Sequence, residues 1–159
     1  GGAGVVLRFG GFYGPDALQV REMIKFVRRG WAPLPGAPDA YISSVSHDDA
    51  ASAVVVALSL PAGVYNVVDD EPLRRRDYAN SLAMALQVAS PRPLPGWLTA
   101  ITGSLGELMK RSLRISNIKL RSESFWRPKY PSLREGWPAT IEAMDLEPLT
   151  ADGTDNETR

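Results

Sequence analysis

The stretch Val5-Val6-Leu7-Arg8-Phe9-Gly10-Gly11-Phe12-Tyr13-Gly14-Pro15 constrains this chain most. Val5 to Leu7 is a short continuous apolar run led by two β-branched residues, which predicts a strand buried on both faces of a parallel sheet. The run stops at Arg8, and Gly10-Gly11 lets the backbone turn where a side chain would intrude. Tyr13-Gly14-Pro15-Asp16 is a second turn, with Pro15-Asp16 suited to opening the helix that follows. A buried strand that ends in a glycine-rich loop is where open α/β sheets place ligands, at the carboxyl ends of their strands. The residues alone fit equally a strand and turn that hold no ligand.

At 159 residues the chain is long enough for one domain with a real core. Its 44% apolar and 23% charged residues are those of an ordered, soluble domain. Eighteen basic and eighteen acidic residues cancel, which removes any global electrostatic case for nucleic acid or an anionic membrane as partner. The absence of cysteine excludes structural disulfides and thiolate metal sites, and the single histidine, His47, excludes a His-rich one. No apolar run approaches the roughly 20 residues that span a bilayer, and the start is not a signal peptide, so the default location is cytoplasmic. Gly1-Gly2-Ala3-Gly4 lacks an initiator Met and runs almost directly into the strand, as expected of a chain cut from something longer.

Along the chain, Ala17 to Arg29 reads as a helix with Leu18, Met23, Ile24, Phe26 and Val27 apolar, closed by Gly30. The loop Trp31 to Pro38 is rich in Pro and Gly; Trp31 either stacks on a substrate or simply anchors the loop. Tyr41 to Ser46 predicts a short strand, and Asp48-Asp49 an N-cap for an Ala-rich helix from Ala50 to Leu58. Gly63 to Val68 is a further apolar strand, ended by Asp69-Asp70-Glu71-Pro72. Consecutive carboxylates point in different directions, so this is a solvated turn rather than a metal site. Arg74-Arg75-Arg76 is flanked by acidic residues and makes no nucleic-acid patch, while Asp77 is placed to cap a helix from Tyr78 to Val88. Ser90 to Gly96 is stiffened by prolines, and Trp97 to Lys110 predicts an amphipathic helix. In Ser112-Leu113-Arg114-Ile115-Ser116-Asn117 a strand would present three polar groups on one side. An arginine among hydroxyls suits a phosphate or carboxylate ligand, or else a tie to a carboxylate of the same subdomain. Pro138 to Met144 predicts a last short helix, and Glu147 to Arg159 a disordered polar tail.

Four of these segments carry a family resemblance. Arg8-Phe9-Gly10-Gly11-Phe12-Tyr13-Gly14-Pro15 resembles the segment that follows the catalytic Tyr-x-x-x-Lys pair in extended and atypical short-chain dehydrogenases/reductases, the NAD-dependent epimerase/dehydratase family. Val45 to Ala53 resembles that family's Ile-His-Val-x-Asp-Leu-Ala-x-Ala segment. There Asp49 takes the aspartate position, Ser46 replaces the usual histidine and His47 falls on a valine position, so His47 receives no catalytic role. Gly63 to Pro72 is similar to the family's Gly-x-Tyr-Asn-Val-x-Asp-x-Glu-Pro strand. Ser112 to Asn117 is similar to Ser-x-Arg-x-Ser-Asn of the atypical members, with Phe125 where the following motif usually has Gly.

The resemblance implies an α/β fold: the C-terminal part of a Rossmann-type enzyme, with an incomplete parallel sheet and a small mixed α/β substrate-binding subdomain in residues 1–144, then a tail over 145–159. It implies NAD or NADP near Phe9, Gly10, Gly11 and Phe12, and a small-molecule substrate near Gly11, Tyr13, Trp31, Ser112, Arg114 and Asn117. Nucleotide sugars are among the candidate substrates, because arginines of this region meet the diphosphate in members that use them. Two family features are absent: a Thr-Gly-x-x-Gly-x-x-Gly loop, and a Tyr-x-x-x-Lys pair, since Ala17, Val45, Asp69, Leu82 and Arg134 stand four residues after the five tyrosines. Three readings follow. The chain is the catalytic partner of a missing N-terminal half, with an exposed sheet edge that pairs with that half or with another copy; or it is a binding module that lost catalysis; or it is a fragment without a function of its own.

Overall fold

Val5–Phe9 forms strand β1, and Gly63–Val67 forms β6, which lies parallel to it in the register Val5↔Gly63 to Phe9↔Val67. The computed structural model describes residues 4–94 and 111–144. Between these strands the chain makes β2 (Gly11–Tyr13), helix α1 (Leu18–Arg28), β3 (Trp31–Ala32), β4 (Tyr41–Ile42), β5 (Ser44–Ser46) and helix α2 (His47–Ala57). After β6 come β7 (Leu73–Arg74), α3 (Arg75–Ala85), β8 (Arg92–Pro93), α4 (Ile118–Glu123) and α5 (Leu133–Ala143). β2 pairs parallel with β5, β3 parallel with β8, and β4 antiparallel with β7. The result is an incomplete parallel sheet with a small mixed α/β subdomain. The expected helix over 97–110 and the tail over 145–159 lie outside the described residues.

Two apolar cores divide the chain. On the sheet, Val5, Leu7 and Phe9 of β1 turn one face toward Val45, Tyr65 and Val67, which α2 covers with Ala50 and Ala53 and the α4 region with Leu120 and Trp126. The other face stays open: Val6 is 52% and Val64 41% exposed. The expectation of a strand buried on both faces is therefore corrected, because among the described residues β1 has cover on one side only.

The second core joins α1, α3 and α5 around Tyr13, Tyr78 and Trp137. Trp137 stacks tilted on Tyr13 at 5.4 Å and edge-on to Tyr78 at 5.5 Å, geometries that aromatic quadrupoles favour. α1 buries Val20, Ile24 and Val27, while Leu18 and Phe26, expected on the inner face, are exposed. Gly30 at φ +81° closes the helix as expected.

Several element boundaries differ from the sequence expectation. α2 starts at His47, not Ala50, because Ser46 is its cap: the Ser46 hydroxyl accepts from Asp49 N at 3.0 Å and donates to the Asp49 carboxylate at 2.7 Å. α3 starts at Arg75, which leaves Asp77 within its first turn rather than capping it. α5 runs from Leu133 because Ser132 and Glu135 form a reciprocal capping box; Pro138 then lies inside the helix instead of opening it. The two hydrogen bonds that Ser132 gives Glu135, from its hydroxyl at 2.6 Å and its amide at 3.0 Å, hold that carboxyl below its usual range. Tyr41 to Ser46 is broken at Ser43 into β4 and β5, which belong to different ladders.

Candidate functional site

The open end of β1 is set by one close crossing. Gly10 N donates to Val67 O at 3.1 Å and Gly11 N to Ser43 O at 2.9 Å, so β1, β6 and the β4–β5 junction meet at Gly10. A Cβ at Gly10 would stand 2.7 Å from Ser43 O and 2.9 Å from Val68 Cγ1. Glycine is required there by backbone approach. Gly11 is different: a Cβ would have only Ser43 O within reach, at 3.7 Å, and the residue is exposed. Beside it the Phe12 ring, 43% exposed, rests on Phe9 at 5.3 Å and on His47 at 5.9 Å. Phe9, Gly10, Gly11 and Phe12 therefore form one aromatic-floored ledge at the carboxyl end of β1. Tyr13, next in line, turns inward and is 1% exposed, packed against Gly136 and Trp137.

Residues 111–117 form no strand; they run beside β4 and are pinned by hydrogen bonds. Leu113 N donates to Tyr41 O at 2.9 Å, and Tyr41 N to Ser112 Oγ at 3.0 Å. Ser43 Oγ both donates to Leu113 O and accepts from Ile115 N, each at 2.9 Å. Asn117 is buried, its amide donating to Val68 O at 2.8 Å and to the Asp70 carboxylate at 2.7 Å. Ser112 and Asn117 thus hold the segment in place, and Asn117 ties it to the end of β6 beside Gly10.

Arg114, by contrast, is exposed. Its guanidinium sits 5.2 Å from the centre of the Tyr41 ring, which Arg74 also approaches at 5.7 Å. Tyr41, Asp70, Glu71, Arg74, Asp77, Arg114 and Arg134 line a polar groove of about 310 Å³. Arg134 pairs with Glu71 at 3.5 Å, Arg74 with Asp39 at 3.1 Å and Arg121 with Asp70 at 2.9 Å. Among the described residues no carboxylate lies within ion-pair distance of Arg114. Trp31 belongs to neither group: it stands half-exposed on β3, next to Ala32, which lines a separate, apolar cavity of about 300 Å³ with Leu34, Ala79 and Pro93.

Asp49 ties the loop after α4 to the sheet. Its buried carboxylate accepts from Lys129 N at 2.6 Å and Tyr130 N at 3.4 Å, besides the Ser46 hydroxyl. Its structural reading stands, though its partners are distant in sequence rather than amides of its own helix. The turn after β6 is corrected: Asp70 and Glu71 are exposed, but Asp69 is 2% exposed and far from solvated. Two features escaped the sequence reading, the Tyr41 ring beneath two guanidiniums and the buried Asp69 carboxyl. Among the described residues no three His, Cys, Asp or Glu side chains gather as metal ligands, and no helix is long and apolar enough to cross a membrane.

Parallel strands that end in a ledge, with a mixed subdomain beside them, define a Rossmann-type architecture. No protein-family model matches the chain. Over 141 residues it is 34% identical to a 3-diazoavenalumate denitrifying reductase from Streptomyces sp, a match that covers 84% of this chain and 46% of that protein. Its fold superposes on the human epimerase family protein SDR39U1, solved with NADPH, with a TM-score of 0.78 at 18% identity over 87% of this chain and 48% of that one. UDP-glucose 4-epimerase of Thermus thermophilus, solved with NAD, gives a TM-score of 0.64 at 28% identity over 88% of this chain and 46% of the other. In sequence and fold the chain is similar to part of these Rossmann-type enzymes of the NAD-dependent epimerase/dehydratase family. It spans about half the length of these relatives.

Proposed function

We propose that this chain is the substrate-binding portion of an NAD(P)-dependent epimerase/dehydratase-like oxidoreductase, inactive until joined by an N-terminal half that carries the glycine-rich loop and the Tyr-x-x-x-Lys pair. The observation that carries the reading is the ledge at Phe9 to Phe12. It lies at the carboxyl end of a parallel strand whose second edge has no partner among the described residues. Gly11 leaves a flat, side-chain-free backbone surface, and Phe12 offers an exposed ring; both fit a flat nicotinamide ring laid against them. NAD(P), when bound, supplies the hydride exchange. The chain's own residues do the rest: the Gly11–Phe12 ledge orients the reacting ring, and Arg114, free of carboxylates among the described residues, holds an anionic group of a small-molecule substrate by bidentate hydrogen bonds. The diphosphate of a nucleotide sugar would satisfy it, as would the carboxylate of an aromatic acid.

The open face at Val6 and Val64 is where the missing half would add cover, since parallel sheets are buried on both faces. The test is made on the full native gene product, with NADH, NADPH and UDP-glucose as titrants. Nicotinamide binding and an Arg114→Ala variant with raised KM but unchanged melting temperature are the expected results. A native product that binds neither nucleotide overturns the enzyme reading in favour of a non-catalytic binding module. An Arg114→Ala variant that lowers the melting temperature and leaves KM alone assigns Arg114 to structure.

A further inference from the structure

Where β6 ends, four buried polar atoms of three residues make no hydrogen bond among the described residues: both carboxylate oxygens of Asp69, the Tyr13 hydroxyl and the Trp137 indole N–H. Such orphans are rare in folded interiors, because each forfeits its hydration and gains nothing in return. They belong to one neighbourhood. Tyr13 and Trp137 touch ring to ring, and the phenols of Tyr13 and Tyr78 both lie within electrostatic reach of the Asp69 carboxyl. The backbone at Asp69 is held, because its own amide donates to Ser44 O at 2.8 Å and the preceding carbonyl, Val68 O, accepts from Asn117.

Among the described residues no cationic side chain pairs with Asp69, and neither of its oxygens accepts a hydrogen bond. Its own turn contributes Asp70 and Glu71, and α2 contributes Asp49, all acidic. From β2 and α3 come the phenols of Tyr13 and Tyr78. The two arginines at this turn are paired with its other carboxylates, Arg121 with Asp70 and Arg134 with Glu71. The Ser44 backbone amide is the one dipole that favours the anion, and it makes no hydrogen bond of normal geometry to either oxygen.

We propose that Asp69 is a neutral carboxylic acid in the folded chain, a proton-loaded latch between the sheet ends and the α3–α5 core, so that folding takes up one proton. A protonated carboxyl gains a donor that reaches the unpartnered Tyr13 oxygen through a buried water, whereas a carboxylate there would face the like charges of Asp70, Glu71 and Asp49. Burial, followed by the charges of Asp70 and Glu71, pushes this carboxyl up to about 8, in agreement with the geometry. The sign follows from linkage. The unfolded chain releases this proton near pH 4 and the folded chain only near pH 8, so stability falls as pH rises between the two and is level above. The Glu135 carboxyl, held low, works in the opposite direction and outside this window. The inference does not rest on the oxidoreductase reading.

The experiment is equilibrium urea unfolding of the whole chain at intervals from pH 5 to pH 8.5, wild type against Asp69→Asn, which keeps the shape and removes the acid. The folding constant of the wild type, taken relative to the variant, falls about tenfold per pH unit up to pH 7.5 and flattens near pH 8. Parallel pH profiles for the two proteins overturn the proposal. Should the variant fail to fold, carbon-detected NMR of the Asp69 carboxyl in the wild-type chain decides: titration near pH 8 supports the latch, and titration near pH 4 overturns it.

Discussion

The two cores are built from similar residues and end up in different conditions. Around Trp137 the α1–α3–α5 core is closed: Trp137, Tyr13, Leu82 and Leu133 are each 1% exposed or less. Around β1 the sheet core is closed on one face and open on the other, with Val6 and Val64 at the surface. Both strands that carry those valines are parallel, and parallel pairs rarely stand without cover on two faces. The subdomain core is therefore closed by its own residues, whereas one face of the sheet stays open among the described residues. The ledge of Phe9 to Phe12 lies at the border between the two, so the proposed function puts the site beside the open face.

The largest expected effect breaks the closed region. Trp137→Ala removes the ring that Tyr13 and Tyr78 pack against, and should cost about 3–5 kcal/mol in chemical denaturation. The aromatic near-ultraviolet circular dichroism should collapse with it. Next comes the crossing at the border. Gly10→Ala drives a methyl into Ser43 O and Val68 Cγ1, and since the first of these is backbone, relief requires the strands to part. About 1–3 kcal/mol of destabilisation is expected by the same measurement. Gly11→Ala, where the added carbon meets ordinary contact distance, should be close to neutral, so a large effect at Gly11 would sink the distinction drawn between the two glycines.

What was legible in the sequence follows the range of each interaction. β1, β6, α1 and the terminating Gly30 are written in local apolar patterns and in the freedom of glycine at positive φ. Composition places the start of α2 too late because Asp48-Asp49 looks like a cap, while the oxygen that accepts the capping hydrogen bond belongs to Ser46, one residue before the helix. The Ser132–Glu135 spacing did hold a readable signal for α5, hidden by the Pro138 that it overrides. Asp69 and Arg114 show the limit. A carboxylate in an acidic turn reads as solvated unless its burial is known, and an arginine among hydroxyls does not reveal that Tyr41, far away along the chain, lies beneath it. Those facts depend on contacts between distant segments, to which local spacing is blind.

The smallest effect on the isolated chain is the sharpest test of the comparison. Val6→Lys places a charge on the open face of β1, where the side chain is half-exposed and packs against neither core. In this chain alone the change should alter stability by no more than about 0.5 kcal/mol, as surface substitutions do, and should reduce self-association by ending an apolar strand face with charge. In the full native product the same lysine would be forced beneath covering elements, and burying an unpaired ammonium is costly. Soluble yield and nicotinamide binding should then both fall. A variant that is neutral in both settings would mean that the open face of β1 stays open, and that the sheet in this protein is as complete as the subdomain beside it.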